Sequence, residues 1–123
     1  MKKGKKASGG KYKKARKKKL YEIPGQARTV KLGQEKRRLK RTRGGNKKVF
    51  LLNAKIVNVQ TNGKSKKTEI QNVLETPSNR FMARQNILTK GTVVETALGK
   101  VKITNRPSQE GLVNGILIEK AEK

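Results

Sequence analysis

Positive charge is concentrated at one end of this chain. Residues 1–48 carry 21 lysines and arginines and two glutamates, a net charge of +19, whereas residues 49–123 carry a net charge of only +6. Like charges at this density repel one another and oppose a compact state. A polyanionic partner is therefore expected. Nucleic acid is favoured because cations that displace counterions from phosphates gain affinity, ahead of an anionic membrane surface or an acidic protein.

Large apolar residues are unevenly distributed as well. They are so sparse over residues 1–46 that this segment cannot bury a core large enough to offset the entropy lost on ordering. We therefore predict a basic, RNA-threading arm over residues 1–46, which is extended, disordered when free and ordered on its partner. Residues 47–123 are predicted to form a folded body.

The residue types that are missing exclude most catalytic chemistry. The sequence has no Cys, His, Asp or Trp, and its eight acidic residues are all glutamates. The usual zinc sites and a hydrolase built on Ser and His are thereby excluded, and a magnesium site made of glutamates alone is disfavoured. Neither a membrane-spanning run nor a secretory signal is recognisable. We expect no enzyme activity, no metal and no cofactor.

The body is predicted to be all-β. An apolar stretch over residues 48–60 is followed by Asn62-Gly63, a strong hairpin signal, and by a strand over residues 66–74. In that strand, alternation assigns Ile70 to one face and Val73 to the other. Short strands at regular spacing favour a small antiparallel β-barrel-like body. The three later strands are predicted over residues 92–97, 100–105 and 112–119.

One short helix is predicted between the strand over residues 66–74 and the strand over residues 92–97. Ser78 or Asn79 is a suitable N-cap for one or two helical turns that end at Arg84. We expect Phe81 and Met82 to lie on the inward side of this helix.

Two basic clusters in the arm are candidates for phosphate binding. The first spans residues 2–19, where Tyr12 and Tyr21 add flat rings on which a base could stack. The second spans residues 37–48, where arginine forks suit bidentate contacts and Gly44-Gly45 predicts a positive-φ turn that Asn46 tolerates. The alternative for the first cluster is a solubilising tail or a localisation signal. The alternative for the second cluster is an ordinary basic turn.

Four cationic positions of the body are weaker candidates. Arg80 and Arg84 are four residues apart and would share one helix face, while Lys90 and Arg106 lie in polar loops. Ordinary solvent exposure is the alternative for the helix and for Lys90, and a plain connector is the alternative for the Arg106 loop.

Two other classes of cationic protein fit the sequence less well. A DNA-compacting architectural protein would need exposed apolar wedges that enter base steps, and none is evident beside the Asn62-Gly63 hairpin. A membrane-active cationic helix would need an apolar face at helical spacing, which residues 1–19 lack.

Seven segments occur in a consistent order along the chain: Ser8-Gly9-Gly10, residues 18–23, residues 41–46, residues 77–80, residues 84–91, residues 104–107 and residues 111–115. Together they resemble the archaeal and eukaryotic-type small-subunit ribosomal protein family eight, which is distinct from the bacterial protein of the same number. The chain has Pro24-Gly25 where the family usually has one glycine, and Ser108 and Glu110 where it often has Gly and Asp. The insertion-free length resembles the archaeal branch.

The resemblance implies a structural constituent of the small ribosomal subunit, located in the cytoplasmic ribosome and supporting translation. The implied partners are small-subunit ribosomal RNA and neighbouring ribosomal proteins, with no membrane, no cofactor and no small-molecule substrate. The predicted RNA-binding residues are Lys2, Lys3, Lys5, Lys6, Lys11, Tyr12, Lys13, Lys14, Arg16, Lys17, Lys18, Lys19, Arg28, Lys31, Arg37, Arg38, Lys40, Arg41, Arg43, Gly44, Gly45, Asn46, Lys47, Lys48, Arg80, Arg84, Lys90 and Arg106.

Overall fold

The computed structural model describes residues 4–13, 16–61 and 63–120 of the chain. Within these residues, strands account for most of the regular structure, and the helices are single turns. The strands are β1 (Val30–Leu32), β2 (Lys36–Arg41), β3 (Lys47–Ala54), β4 (Ile56–Thr61), β5 (Lys64–Glu75), β6 (Ile87–Leu88), β7 (Val93–Thr96), β8 (Gly99–Ile103) and β9 (Asn114–Lys120). The helices are α1 (Arg80–Arg84) and α2 (Pro107–Glu110), and 3-10 turns span Leu20–Glu22 and Arg43–Gly45.

Five strands close a barrel in the order β4-β5-β7-β8-β9. Val57, Val59, Val94, Val101 and Ile103 alternate with exposed or half-buried residues and are fully buried inside it. The all-β prediction is therefore confirmed. One difference from the predicted antiparallel barrel is the closing pair of β4 and β9, which is parallel. Alternation along a strand does not reveal the direction of its neighbour, so the sequence did not show this.

The hairpin of β4 and β5 follows the sequence prediction at its turn. Thr61 pairs with Lys64, and Asn62 of the predicted turn lies outside the described residues. Further along β5, the prediction that Ile70 and Val73 lie on opposite faces is wrong, because both are buried. The register with β7 shifts between Ile70 and Asn72. A bulge of this kind adds one residue and exchanges the faces of the strand beyond it.

A second sheet has the order β2-β3-β1-β6. The single strand predicted over residues 48–60 is divided at Lys55 into β3, which belongs to this sheet, and β4, which belongs to the barrel. Strands β1 and β2 lie inside the range predicted as an arm. All six side chains of β2 are exposed, so this strand carries no apolar pattern, and it is held by backbone pairing with β3. A domain boundary at residue 46 stays a prediction.

Two single-turn helices are present in the described chain, where the sequence predicted one. Asn79 caps α1, since its Oδ1 accepts a hydrogen bond from the Phe81 backbone N–H at 3.0 Å. The expectation that Phe81 is turned inward is wrong, because its side chain is 68% exposed, while Met82 is half-buried. A helix of five residues has too few turns to bury both. Helix α2 begins at Pro107 and packs on β3.

The hydrophobic core joins the sheet to the barrel. Val30, Leu51 and Leu88 of the sheet belong to the same buried cluster as the barrel valines. Phe50 is also buried, at 6% exposure, but it lies outside that cluster. None of the helices in the described ranges is long and apolar enough to cross a membrane.

Candidate nucleic-acid interface

One concentration of positive charge in the described structure is a basic ribbon, residues 36–48, formed by β2, its turn and the start of β3. It contains eight lysines and arginines and no acidic residue, and every one of the eight is exposed. Lys40 lies directly opposite Lys48, and Arg41 lies opposite Lys47. Like charges facing each other across two strands are destabilising, so an external anion would stabilise this ribbon.

The turn of the ribbon is built as a tight loop. Thr42 donates two hydrogen bonds to the Asn46 carbonyl oxygen, one from its backbone N–H at 2.7 Å and one from its hydroxyl at 2.9 Å. Gly44 and Gly45 have φ values of 80° and 81°, a region that disfavours other residues. The predicted positive-φ turn at these glycines is confirmed. Asn46 has φ −66° and contributes its carbonyl instead.

The two faces of the ribbon differ in how far the protein neutralises them. Strand alternation places Arg37 and Arg41 on one face and Arg38 and Lys40 on the other. Arg37 forms an ion pair with Glu35 through its Nε. No ion pair involves Arg38 in the part of the chain that the structure describes. The face that carries Arg38 therefore retains its full charge.

The N-terminal residues of the predicted interface form a small turn. Lys5 and Lys11 make an isolated antiparallel bridge, and the Lys6 N–H donates to the Gly10 carbonyl at 2.9 Å. The ammonium of Lys6 lies 5.9 Å from the centre of the Tyr12 ring. Tyr12 is still 51% exposed, so its ring keeps surface on which a base could stack.

Arg16 is engaged by the protein itself. Its guanidinium donates to both carboxylate oxygens of Glu22, at 2.7 and 2.8 Å. The Lys19 backbone N–H donates to the same carboxylate at 3.1 Å. These contacts, chiefly the one from Arg16, hold the pKa of Glu22 below its ordinary value. Arg16 thus fixes the 3-10 turn that presents Tyr21, which is 73% exposed.

Arg28 lies against an aromatic ring that sequence reasoning did not assign to the interface. Its guanidinium carbon is 3.9 Å from the centre of the Phe50 ring. The sequence assigned Phe50 only to an apolar strand. A phenylalanine in the core and a phenylalanine that stacks beneath a cation look the same in a sequence. Arg28 itself is exposed.

The arginines of α1 form a separate patch. Arg80 and Arg84 are both exposed and occupy the first and last positions of the helix. The Leu32 N–H donates to the carbonyl of Asn86, just after α1, at 2.9 Å. Leu32 also pairs with Ala54, the last residue of β3. The end of α1 therefore lies beside the C-terminal end of β3. The turn of the basic ribbon lies at the opposite end of β3, roughly 25 Å away for an eight-residue strand.

The loop positions of the body are less specific. Lys90 is exposed in the turn between β6 and β7, and Arg106 is exposed before α2. Asn105 secures the second loop, because its amide donates to the Leu112 carbonyl at 2.8 Å and accepts from the Asn114 N–H at 2.9 Å. The connector interpretation therefore fits Asn105. Lys2, Lys3 and Lys14 lie outside the described residues.

Comparison with known proteins identifies consistent relatives. The family model for ribosomal protein S8e matches residues 1–118. The small ribosomal subunit protein eS8 of Nanoarchaeum equitans is 50% identical over 107 residues, which covers 85% of this chain and 84% of that protein. The eS8 protein of Staphylothermus marinus is 48% identical over 118 residues, covering 94% and 92% respectively. That of Methanosarcina barkeri is 40% identical over 116 residues, covering 93% of each.

Proposed function

The chain belongs to the ribosomal protein S8e family, and from this premise we propose that it is an rRNA-binding structural component of the small ribosomal subunit. The family consists of structural ribosomal proteins and not of enzymes. The relatives are small ribosomal subunit proteins, which supports a location in the cytoplasmic ribosome and a role in translation. The proposed partners are ribosomal RNA and neighbouring ribosomal proteins. No membrane or small-molecule substrate enters this proposal.

The observation that carries the proposal is the pairing of like charges across the basic ribbon. Lys40 with Lys48 and Arg41 with Lys47 repel one another in the isolated protein. RNA phosphates between the two rows would turn this repulsion into attraction, and the release of condensed counterions would add to the affinity.

The mechanism has two parts. Cations of the arm and of the basic ribbon offset the repulsion between phosphates where RNA helices crowd together. The barrel determines where the arm enters between these helices. Because A-form RNA hides its base edges in a deep, narrow groove, the contacts are directed mainly to phosphates, 2′-hydroxyls and RNA shape. Binding then stabilises the folded RNA and contributes to assembly of the subunit.

Chemical footprinting of small-subunit ribosomal RNA, with and without the protein, tests this function. We expect protection of a limited set of backbone positions in folded RNA. Duplex DNA of the same length serves as the competitor for the alternative of a DNA-compacting protein. Equal competition by DNA, with no localised protection of the RNA, would contradict the proposal.

A further inference from the structure

Phe50 is a buried apolar residue that lies outside the main hydrophobic cluster. Its side chain is 6% exposed, yet it is not part of the cluster that joins the sheet to the barrel. The exposed Arg28 lies over its ring, with the guanidinium carbon 3.9 Å from the ring centre. Stacking of this kind restricts a long side chain to one orientation and leaves its in-plane N–H groups free to donate.

A second arginine lies beside Phe50 on the neighbouring strand β2. Arg38 pairs directly with Phe50 in the antiparallel register of β2 and β3, so the two side chains project from one face of the sheet. Strand β1 runs parallel to β3 with Lys31 opposite Asn53. Counting back three residues in that register places Arg28 opposite Phe50. Phe50 is thus flanked by Arg38 of β2 on one side and by Arg28, two residues before β1 begins, on the other.

This pair of arginines has no counter-charge in the described chain. The nearest acidic residue in sequence is Glu22 for Arg28 and Glu35 for Arg38. Glu22 is bound by Arg16, and Glu35 is bound by Arg37, which lies on the other face of β2. No hydrogen bond or ion pair joins Arg28 or Arg38 to a carboxylate among the described residues. Like charges at neighbouring positions on one sheet face repel each other unless an anion lies between them.

We propose that Phe50 is a positioning residue that orients Arg28, and that Arg28 and Arg38 together bind one backbone phosphate of the RNA. The inference rests on the proposed function, since the phosphate belongs to the ribosomal RNA. Phosphate fits better than a base edge because its oxygens accept bidentate hydrogen bonds from two guanidinium forks at once. Phe50 covers one face of the Arg28 guanidinium, and the N–H groups in the guanidinium plane stay free to donate hydrogen bonds to the phosphate.

The test measures the affinity of full-length variants for the small-subunit RNA fragment that the footprint identifies. R28K keeps the charge but removes the planar fork, and F50L keeps an apolar side chain but removes the flat ring. We expect each to weaken binding about ten-fold, the factor that corresponds to one charge-assisted hydrogen bond. Because R28K retains its charge, the dependence of affinity on salt should stay unchanged.

Three further variants separate orientation of Arg28 from a general effect on folding. In the R28K background, F50L should cause no additional loss, because the ring then has no fork to orient. F50Y keeps the ring and should bind as the wild type does. F81L makes the same change at an exposed phenylalanine of α1 and should leave the affinity unchanged.

Two results would overturn this inference while leaving the proposed function intact. The first is wild-type affinity in both R28K and F50L. The second is a full effect of F50L in the R28K background, which would show that Phe50 acts through the fold and not through Arg28. A wild-type protein that binds no small-subunit RNA would instead overturn the proposed function, and this inference with it.

Discussion

Arginine and lysine have different roles at individual positions of the basic ribbon. Arg41 lies in β2 and Arg43 lies in the tight turn that Thr42 and Asn46 close. A fixed backbone makes a planar fork useful, because its hydrogen bonds are then aimed in advance. Lys47 and Lys48 act as point charges on the facing strand.

Replacing Arg41 and Arg43 together by lysine tests this difference. The charge is retained and the forks are lost, so we expect binding to the cognate RNA to weaken by about 1–3 kcal/mol with an unchanged salt dependence. The measurement is a filter-binding or fluorescence titration at several salt concentrations. Equal affinity of the double variant would mean that these contacts are purely electrostatic.

The ion pair of Arg16 with Glu22 makes the first 3-10 turn sensitive to acid. Its contacts lower the pKa of Glu22 in the folded state. A carboxylate with a depressed folded pKa contributes stability above its unfolded pKa, and this contribution is lost as the pH falls through the folded value. The turn should therefore loosen at a pH below the ordinary range of a glutamate, about 4.3.

An NMR titration of the Glu22 carboxyl carbon provides the measurement. We expect its midpoint below the ordinary glutamate value, and the substitution Arg16→Gln should move that midpoint upward. Since the pair is exposed to solvent, the effect should be local and should leave the barrel unchanged. A midpoint that does not respond to Arg16→Gln would show that the pair is not formed in solution.

At the scale of elements, the barrel could be predicted from the sequence and the second sheet could not. Val101 and Ile103 alternate with exposed lysines and identify β8 directly. Strand β2 buries nothing, and its residues are all basic except the exposed Leu39, so it looks like part of an arm. The break at Lys55 was also missed, because the apolar residues continue on both sides of it.

Gly111 ends α2 and lies in close contact with Val49 of β3. Its φ is 70°, and a Cβ atom there would lie 2.8 Å from Cγ1 of Val49. Substitution by alanine should destabilise the fold by about 2–4 kcal/mol, from backbone strain and overpacking together. Gly91 is a matched control, since its φ is 87° with no atom within 4 Å of a new Cβ, and its alanine variant should lose only about 1 kcal/mol.

Denaturant unfolding of both alanine variants gives the comparison. If the contact with Val49 is responsible, the substitution Val49→Ala should reduce the effect of Gly111→Ala toward that of Gly91→Ala. Equal losses for the two glycine variants would show that the backbone alone accounts for the cost.

Pairing of β1 and β2 with β3 also changes what is expected of the free protein. The sequence predicts disorder over residues 1–46, whereas β1 is hydrogen-bonded on both sides, with Leu32 donating to Asn86 and Gly33 donating to Ala54. We expect hydrogen exchange of the free protein to show protected amides from about Val30 onward and rapid exchange over the described residues before it. Rapid exchange throughout β1 would instead support the predicted boundary between arm and body at residue 46.

At the scale of the whole molecule, the sequence identified the family and predicts an electrostatic role, but it did not reveal the arrangement of the cations. Motif order and the excess of charge at the N-terminal end are properties of the chain itself. The opposition of Lys40 to Lys48, and the separation of the α1 arginines from the ribbon turn, depend on strand register. Register is determined by backbone pairing, which a strand without buried side chains does not encode in its pattern.

The distribution of charge predicts which lysines control the salt dependence of RNA binding. If about ten phosphates are neutralised, the slope of log K against log salt should lie near −7 to −9. An arm variant with Lys11, Lys13, Lys17 and Lys18 replaced by glutamine should have a slope shallower by about 3. A body variant of equal net charge tests whether position matters. Its substitutions replace Lys64, Lys66, Lys67 and Lys102, which are exposed lysines of the barrel.

The body variant should keep nearly the wild-type slope, because an exposed lysine that meets no phosphate releases no counterion from the RNA. Both variants leave the buried valines of the barrel untouched, so their unfolding transitions should match and any difference in slope would reflect binding alone. Titrations of the three proteins on the cognate RNA fragment, from low to moderate salt, provide the comparison. Identical slopes for the arm and body variants would show that affinity follows net charge and not its placement, and the two-part mechanism would then be wrong.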